Sequence, residues 1–426
     1  MGSARLSPRP PWKGRRIVLG VTGGIAAYKS VQLARDLTRL GAQVDVVVTE
    51  SASRFVGALS FEGVTGRPVL SSLWSVEGAA RHLSIGHEAD LFVVAPATAD
   101  LLARAAHGRA DDLLTTALLA TAAPVLLAPA MNDRMWAHPQ TRRNADHCRE
   151  ALGYHLAGPG VGPLAVGEGS GPGRMLEPGE LVAHCGLHLG RRPEWSGRQV
   201  LITAGPTREP LDPVRFLGNR SSGRMGFAVA REAWLMGATV TLVTGPSSLS
   251  DPTGVEVLRV ESALEMAAEV SARVARADLI VYAAAVSDYR PKAPRQRKIR
   301  KEAEGESLSV EFVRNPDVAL ETRHLRSPGS VAVGFALETE DLLQGAKAKL
   351  EAKGFDLIVA NRADEEGSGF EVETNRVTLL GRGGDAKSLP LLGKDEVARE
   401  ILGRVEALFS GPRALAGEVD ADEARG

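Results

Sequence analysis

The 426-residue chain has two cysteines, Cys148 and Cys185, too few for a disulfide framework and in keeping with a reducing compartment. No apolar run approaches the roughly 20 residues a membrane span needs. The Pro/Arg-rich start lacks the apolar centre of a secretion signal. These absences predict a soluble, cytoplasmic protein with no membrane partner. Neither sign of charge is in surplus. Lys+Arg 51 against Asp+Glu 52 leaves a formal net charge of -1, which gives no electrostatic case for nucleic acid or for an anionic membrane.

What is present is ordinary globular composition, 44% hydrophobic and 24% charged, enough to bury real cores. A chain of this length exceeds one core, so two domains of about 200 residues each are expected. The division shows as a repeated grammar. Ile17-Val18-Leu19-Gly20-Val21 reads as a strand, Thr22-Gly23-Gly24 as a tight turn, 25–40 as a helix stopped by Gly41, and 44–48 as the next strand. The same order restarts at Val200-Leu201-Ile202-Thr203-Ala204-Gly205, passes through a helix ending near Met236-Gly237, and returns as Val240-Thr241-Leu242-Val243-Thr244. These apolar runs lack polar alternation, as parallel strands covered on both faces do. The expected fold class is α/β, with two doubly wound domains. The first spans 15–190 and the second 198–409, with 191–197 as linker and 410–426 as a disordered tail.

Open α/β sheets place ligand chemistry at the carboxyl ends of their strands. Asn132 stands just past the buried-looking strand Val125-Leu126-Leu127-Ala128, and His82 lies upstream in the same half. A histidine there can move a proton for such a site; alone, a histidine is more often a surface or capping residue. Asn132 also reads as the N-cap of a helix opening Asp133-Arg134-Met135-Trp136, and the two roles are compatible. The turn Gly20-Val21-Thr22-Gly23-Gly24 enters a helix with little side-chain bulk, which suits a phosphate at the helix's positive end. It is not the dinucleotide pattern G-x-G-x-x-G, although Glu50 after the second strand imitates that fold's ribose-binding acid. A monophosphate such as that of FMN fits at least as well, and a merely tight turn is the plain alternative.

Two strands end in Ala-Pro-Ala, at 95–97 and 128–130, each followed within two residues by a small polar side chain, Thr98 or Asn132. With Gly-Val-Thr-Gly-Gly-Ile-Ala-Ala-Tyr-Lys at 20–29 and Gly108-Arg109-Ala110-Asp111-Asp112, these segments resemble the flavin-dependent phosphopantothenoylcysteine decarboxylases. That resemblance implies a flavodoxin-like sheet, trimer-based assembly, and FMN held by Thr22, Gly23, Gly24, Thr49, Thr98 and Ala99. It makes His82 the catalytic base and Asn132 the group that orients the substrate carboxylate. A carbanion left by CO2 loss needs an electron sink, and the flavin provides one by first oxidising the thiol side of the substrate. The family's mobile flap matches 164–175, where Arg174 and Met175 belong to the substrate-binding end. One departure stands out. Val166 occupies the position of the family's flap cysteine, which supports the final reduction, and a valine has no proton to give. Cys185, about twenty residues further on at the end of the domain, is a weak candidate to replace it.

The second half carries Gly205-Pro206-Thr207-Arg208-Glu209-Pro210 and then Asn219-Arg220-Ser221-Ser222-Gly223-Arg224-Met225-Gly226. Two prolines and a Ser-Ser-Gly entering a helix make a poor connector and a good anion cradle. Asp288 ends a strand, and a basic loop at 295–301 follows; taken alone that loop is a solvated face, but beside a strand-end acid it suits a triphosphate. These segments resemble phosphopantothenate-cysteine ligases, and the chain from about 15 to 405 resembles the bacterial proteins that fuse ligase and decarboxylase. By that resemblance Ala284, Asp288, Phe335, Lys349, Lys353 and the turn Asn315-Pro316-Asp317-Val318 bind CTP. Lys298 stabilises charge on the reacting phosphate, Asn219 orients an acyl-cytidylate, and Mg2+ bridges the triphosphate. Lys349 and Lys353, four apart, share one helix face, which is equally the spacing of a solvated face. The expected partners are small molecules, 4'-phosphopantothenate, cysteine and CTP, in a homo-oligomer. Two narrower readings are a working ligase with an impaired flavin half, motivated by Val166, and a flavin-binding regulatory subunit, which the complete second half argues against.

Overall fold

The computed structural model describes residues 7–73, 85–164, 167, 169–300, 307–338, 341–362 and 372–410. The chain divides into two compact units between Arg191 and Arg192.

In the first unit, β1 (Arg16–Val21), β2 (Gln43–Val48), β3 (Leu91–Ala97), β4 (Val125–Pro129) and β5 (His155–Leu156) form one parallel sheet in the order β2-β1-β3-β4-β5. β3 is buried along its whole length, LFVVAPA, because helices cover both faces of a central parallel strand and leave no face for polar side chains. The helix Ala27–Arg39 puts Leu33, Ala34 and Leu37 into the core at a spacing of three and four. The expected helix at 25–40 therefore starts two residues later. An antiparallel hairpin, β6 (Gly160–Pro163) and β7 (Ser170–Arg174), stands outside the sheet before the last helix of the unit, Pro178–Gly190.

In the second unit, β8 (Gln199–Ala204) leads to a short antiparallel pair, β9 (Arg208–Pro210) and β10 (Phe216–Gly218). There follow β11 (Thr239–Thr244), β12 (Glu256–Arg259), β13 (Leu279–Tyr282), and a second antiparallel pair, β14 (Tyr289–Pro291) and β15 (Phe312–Arg314). The remaining strands are β16 (Val331–Glu338), β17 (Leu357–Arg362), β18 (Thr374–Asn375), β19 (Thr378–Gly381), β20 (Ala386–Ser388) and β21 (Leu392–Gly393). The main sheet runs β12-β11-β8-β13-β16-β17-β19-β20, parallel as far as β17 and antiparallel beyond it. In order of appearance its six parallel strands lie 3-2-1-4-5-6, the doubly wound arrangement whose ligand crevice opens where the winding reverses, between β8 and β13.

Both units thus have the expected α/β architecture. The expected linker does not behave as a free connector. Arg192 N–H donates to the Met236 carbonyl at 2.9 Å, and a 3-10 turn at Pro193–Trp195 buries Trp195 completely. The indole N–H donates to Glu406 Oε2 at 2.7 Å, and the ring meets Phe409 edge-on at 5.2 Å. Gly and Pro made the segment read as a spacer, but the large apolar surface of one tryptophan attaches residues 192–197 to the second unit. From residue 411 onward the expected disordered tail lies outside the described residues.

Candidate functional site

The first unit's strand ends converge on hydroxyl groups. Thr22 follows β1 directly, is almost fully buried, and donates through Oγ1 to the Pro96 carbonyl at 2.7 Å. Thr49 caps a short helix after β2 by accepting from Ala52 N–H at 3.2 Å, and Thr98 caps the helix Ala99–Ala106 after β3 by accepting from Leu101 N–H at 3.3 Å. Thr22 and Thr98 lie within 3.4 Å of each other through their hydroxyls. Gly23 has no room for a side chain, since a Cβ there would sit 2.5 Å from Cβ of Ser51, and Gly24 lies against Thr98. The expected flavin-contacting residues Thr22, Gly23, Gly24, Thr49, Thr98 and Ala99 are therefore gathered at the carboxyl ends of β2, β1 and β3. That is the reversal point of a 2-1-3-4-5 sheet. The helix Ala27–Arg39 begins there with no capping side chain, and a helix N-terminus favours an anion. Beside it opens a cleft of about 580 Å³ lined in part by Thr49, Glu50, Arg54, Arg104, Asp111 and Asp112. Arg104 reaches Asp112 at 2.9 Å and also pairs with Asp111, whose carboxyl its hydrogen bond holds below the usual range. Of the six expected flavin-contacting residues Thr49 alone lines this cleft; the clustered hydroxyls and the helix end at the strand termini are groups of the kind that would hold FMN.

Asn132 plays the capping role. Its Oδ1 accepts from Arg134 N–H at 2.9 Å. With the carbonyl oxygen committed to the cap, the group it offers a carboxylate is the NH2, which is the polarity a carboxylate requires. The loop is held from the hairpin side, where Met131 N–H donates to the Gly173 carbonyl at 3.0 Å. A Cβ on Gly173 would sit 2.2 Å from the Met131 carbonyl, and one on Gly171 would sit 2.9 Å from Cβ of Asp133. The two glycines of Gly171-Pro172-Gly173 are therefore packing requirements. Arg174 pairs with Glu177, and Met175 is buried.

Sequence reasoning missed Lys29, which is buried at the inner face of its helix and bonds Glu177 Oε1 at 2.8 Å, holding that carboxyl low. Its signal was available, because Lys29, Leu33 and Leu37 are spaced as one inward stripe. His82 and Val166 lie outside the described residues. Cys185 can be set aside as a replacement donor. It is 0% exposed on the helix Pro178–Gly190, and burial pushes its thiol up to about 12.

In the second unit a cleft of about 560 Å³ opens at the reversal point. Ala284, Asp288, Asn315, Pro316, Asp317, Val318, Phe335, Lys349 and Lys353 all line it, so residues spread over 70 positions meet on one surface. Ala284 N–H donates to Thr203 Oγ1 at 3.2 Å, and Asn315 Nδ2 donates to the Ser287 carbonyl at 2.8 Å. Asp317 caps a short helix through Leu320 N–H at 3.1 Å and pairs with Lys353 Nζ at 2.9 Å. Tyr282 and Phe355 form an aromatic wall stacked on the Arg326 guanidinium. Sequence reading missed Tyr282 and Phe355, together with Thr203, Ser287 and Arg314, because they look like ordinary strand and loop residues. Asn219 sits beside the cleft, donating to the carbonyls of Ala285 at 3.0 Å and Val286 at 3.2 Å. Lys298 is exposed on its loop and does not line the cleft. Among the described residues no group of three or more His, Cys, Asp or Glu is arranged to hold a metal. The cleft's own acids toward a hard cation are Asp288 and Asp317. No described helix is long and apolar enough to cross a membrane.

Comparison with known proteins covers both units. Residues 7–186 match a family model described as Flavoprotein, and 195–408 match one described as DNA/pantothenate metabolism flavoprotein C-terminal domain. The chain is 45% identical over 391 residues to the coenzyme A biosynthesis bifunctional protein CoaBC of Vibrio cholerae, covering 91% of this chain and 97% of that protein. It is 46% identical over 411 residues to the protein of the same name from Mycobacterium tuberculosis, covering 93% and 97%. Among solved structures, a crystal structure of the C-terminal domain of a CoaBC protein matches 51% of this chain and 98% of its own, at 38% identity and a TM-score of 0.44.

Proposed function

The chain belongs to the family of bifunctional coenzyme A biosynthesis proteins, and from that premise we propose how its two units divide the work. The second unit condenses 4'-phosphopantothenate with cysteine. The first decarboxylates the resulting 4'-phosphopantothenoylcysteine to 4'-phosphopantetheine.

A carboxylate is too electron-rich for an amine to attack, so the second unit joins it to CMP from CTP, releasing pyrophosphate. Cysteine's amine then displaces CMP to give the amide. The cleft residues Lys349 and Lys353 grip the nucleotide's phosphates, Asp288 and the 315–318 turn hold its polar groups, and Phe335 packs against it. Lys298 offsets charge at the reacting phosphorus, and Asn219 orients the acyl-cytidylate. Mg2+ neutralises the triphosphate. In the first unit FMN supplies the electron sink for loss of CO2. Thr22, Thr49, Thr98, Gly23, Gly24 and Ala99 hold it, the Asn132 NH2 grips the departing carboxylate, and His82 moves the proton. Arg174 and Met175 close the flap side. The observation that carries this reading is the convergence of the nucleotide-binding set, from Ala284 to Lys353, on one cleft.

Purified protein incubated with 4'-phosphopantothenate, cysteine, CTP and Mg2+ should release CMP, pyrophosphate and CO2 and form 4'-phosphopantetheine. Absence of CMP formation would overturn the ligase assignment. CMP formation with accumulation of phosphopantothenoylcysteine, or of an oxidised decarboxylated product, would locate the failure in the flavin unit, where Val166 stands.

A further inference from the structure

Lys298 presents a geometric question, since it is assigned to the reacting phosphate yet does not line the cleft. Its reach toward a nucleotide is set by where its loop is fastened. The loop after β14 is fastened twice to the tip of the β9–β10 hairpin. Arg295 N–H donates to the Leu211 carbonyl at 3.0 Å, and Ile299 N–H donates to Asp212 Oδ2 at 3.0 Å. Lys298 is the residue immediately before this second fastening, and Ile299 itself is buried.

Asp212 is built for that grip. Its side chain is 0% exposed, and both oxygens are saturated. Oδ1 accepts from Val214 N–H and Arg215 N–H, each at 2.7 Å, and Oδ2 accepts from Ile299 N–H and from Arg215 Nη1 at 3.1 Å. The same Arg215 nitrogen lies 3.3 Å from the Ile299 carbonyl. Both backbone polar groups of Ile299 are thus taken up. The hydrogen bond from Ile299, with those from the turn, holds the Asp212 carboxyl below the usual range.

The base of the same hairpin is tied to the cleft wall. Thr207 N–H donates to the Ala285 carbonyl at 3.3 Å, Ser287 N–H donates to Thr207 Oγ1 at 3.0 Å, and Asn219 donates to Ala285 and Val286. The hairpin is therefore a strut, with one end on the strand-end segment that lines the nucleotide cleft and the other on the Lys298 loop.

We propose that Asp212 is the positioning residue of the ligase reaction, fixing Lys298 relative to the cleft through the Ile299 backbone. The inference rests on the assignment of Lys298 given above. Asn at 212 keeps the size but turns one acceptor into a donor that faces existing N–H donors, so the grip loosens. D212N should lower kcat for CMP formation at least tenfold while KM for CTP changes less than threefold. CO2 release from added phosphopantothenoylcysteine should be unaffected. The decisive readout is a double-mutant cycle, because a residue that acts only through Lys298 has nothing further to remove once Lys298 is gone. D212N/K298Q should therefore match K298Q. Should D212N fail to fold, I299P deletes the same N–H and takes its place in the cycle. Equal fractional losses in the wild-type and K298Q backgrounds, or a rise in KM with kcat intact, overturn the proposal while leaving the ligase reading in place. Undiminished kcat in K298Q overturns the assignment of Lys298 and this inference with it.

Discussion

Asn132 combines two demands in one amide, and substitution can separate them. Asp caps a helix as well as Asn does, so N132D keeps the bond to Arg134 N–H but faces the substrate's carboxylate with a like charge. We expect N132D to stay folded and to lose decarboxylation by about 100-fold, the magnitude typical of deleting one well-placed donor, while CMP formation continues. Measuring CO2 release and CMP in the same reaction checks both halves. A second residue-scale prediction concerns pH. Burial, and then the His155 ring 4.0 Å away, push His188 down to about 4, with His184 and Arg191 adding to the effect. Because the folded-state value lies below the unfolded one, the unfolded chain takes up a proton first as pH falls. The stabilisation is complete above the ordinary value of 6.5 and is lost between there and about 4. Its size is on the order of 2–3 kcal/mol. Thermal melts from pH 7 to 4 should show the first unit weakening over that window, and H188Q should flatten the dependence.

At the scale of elements, the β6–β7 hairpin is held to the Asn132 loop through backbone, Met131 N–H donating to the Gly173 carbonyl at 3.0 Å. G173A places a Cβ 2.2 Å from the Met131 carbonyl, an atom that cannot move without moving Asn132. Loss of decarboxylation by tenfold or more with unchanged CMP formation is the expected outcome, read from separate assays of the two steps. This contact also marks where sequence reading stops. Strand cores such as that of β3 were legible because a covered parallel strand must be uniformly apolar, whereas the threonines at strand ends were expected only from the resemblance to the flavin-dependent decarboxylases. Trp195 was misread because composition says Gly/Pro linker while packing is decided by one indole. Ile299 lies 87 residues from Asp212 and Glu177 lies 148 from Lys29, and no local pattern records contacts of that separation. Tyr282 and Phe355 look in sequence like any core aromatics; only the fold places them on a cleft.

For the molecule as a whole, two consecutive reactions sit in two units with separate cores, so each should be removable without the other. The proposed metal requirement is the sharpest test. Mg2+ prefers octahedral oxygen coordination and usually binds through one or two carboxylates plus substrate phosphates. The cleft proposed to take the nucleotide offers two carboxylates, Asp288 and Asp317, the latter already paired with Lys353. The ion should therefore arrive with the triphosphate and bind weakly in its absence. Gel filtration in chelator should give protein whose ligase activity returns at once on adding Mg2+, with a midpoint that follows the nucleotide concentration. CO2 release from added phosphopantothenoylcysteine should be indifferent to chelator throughout. Removing the flavin should do the reverse, leaving CMP formation intact and stopping CO2 release. A chelator-sensitive decarboxylation, or a ligase that retains tightly bound metal without nucleotide, would show that the two units do not divide the chemistry in this way.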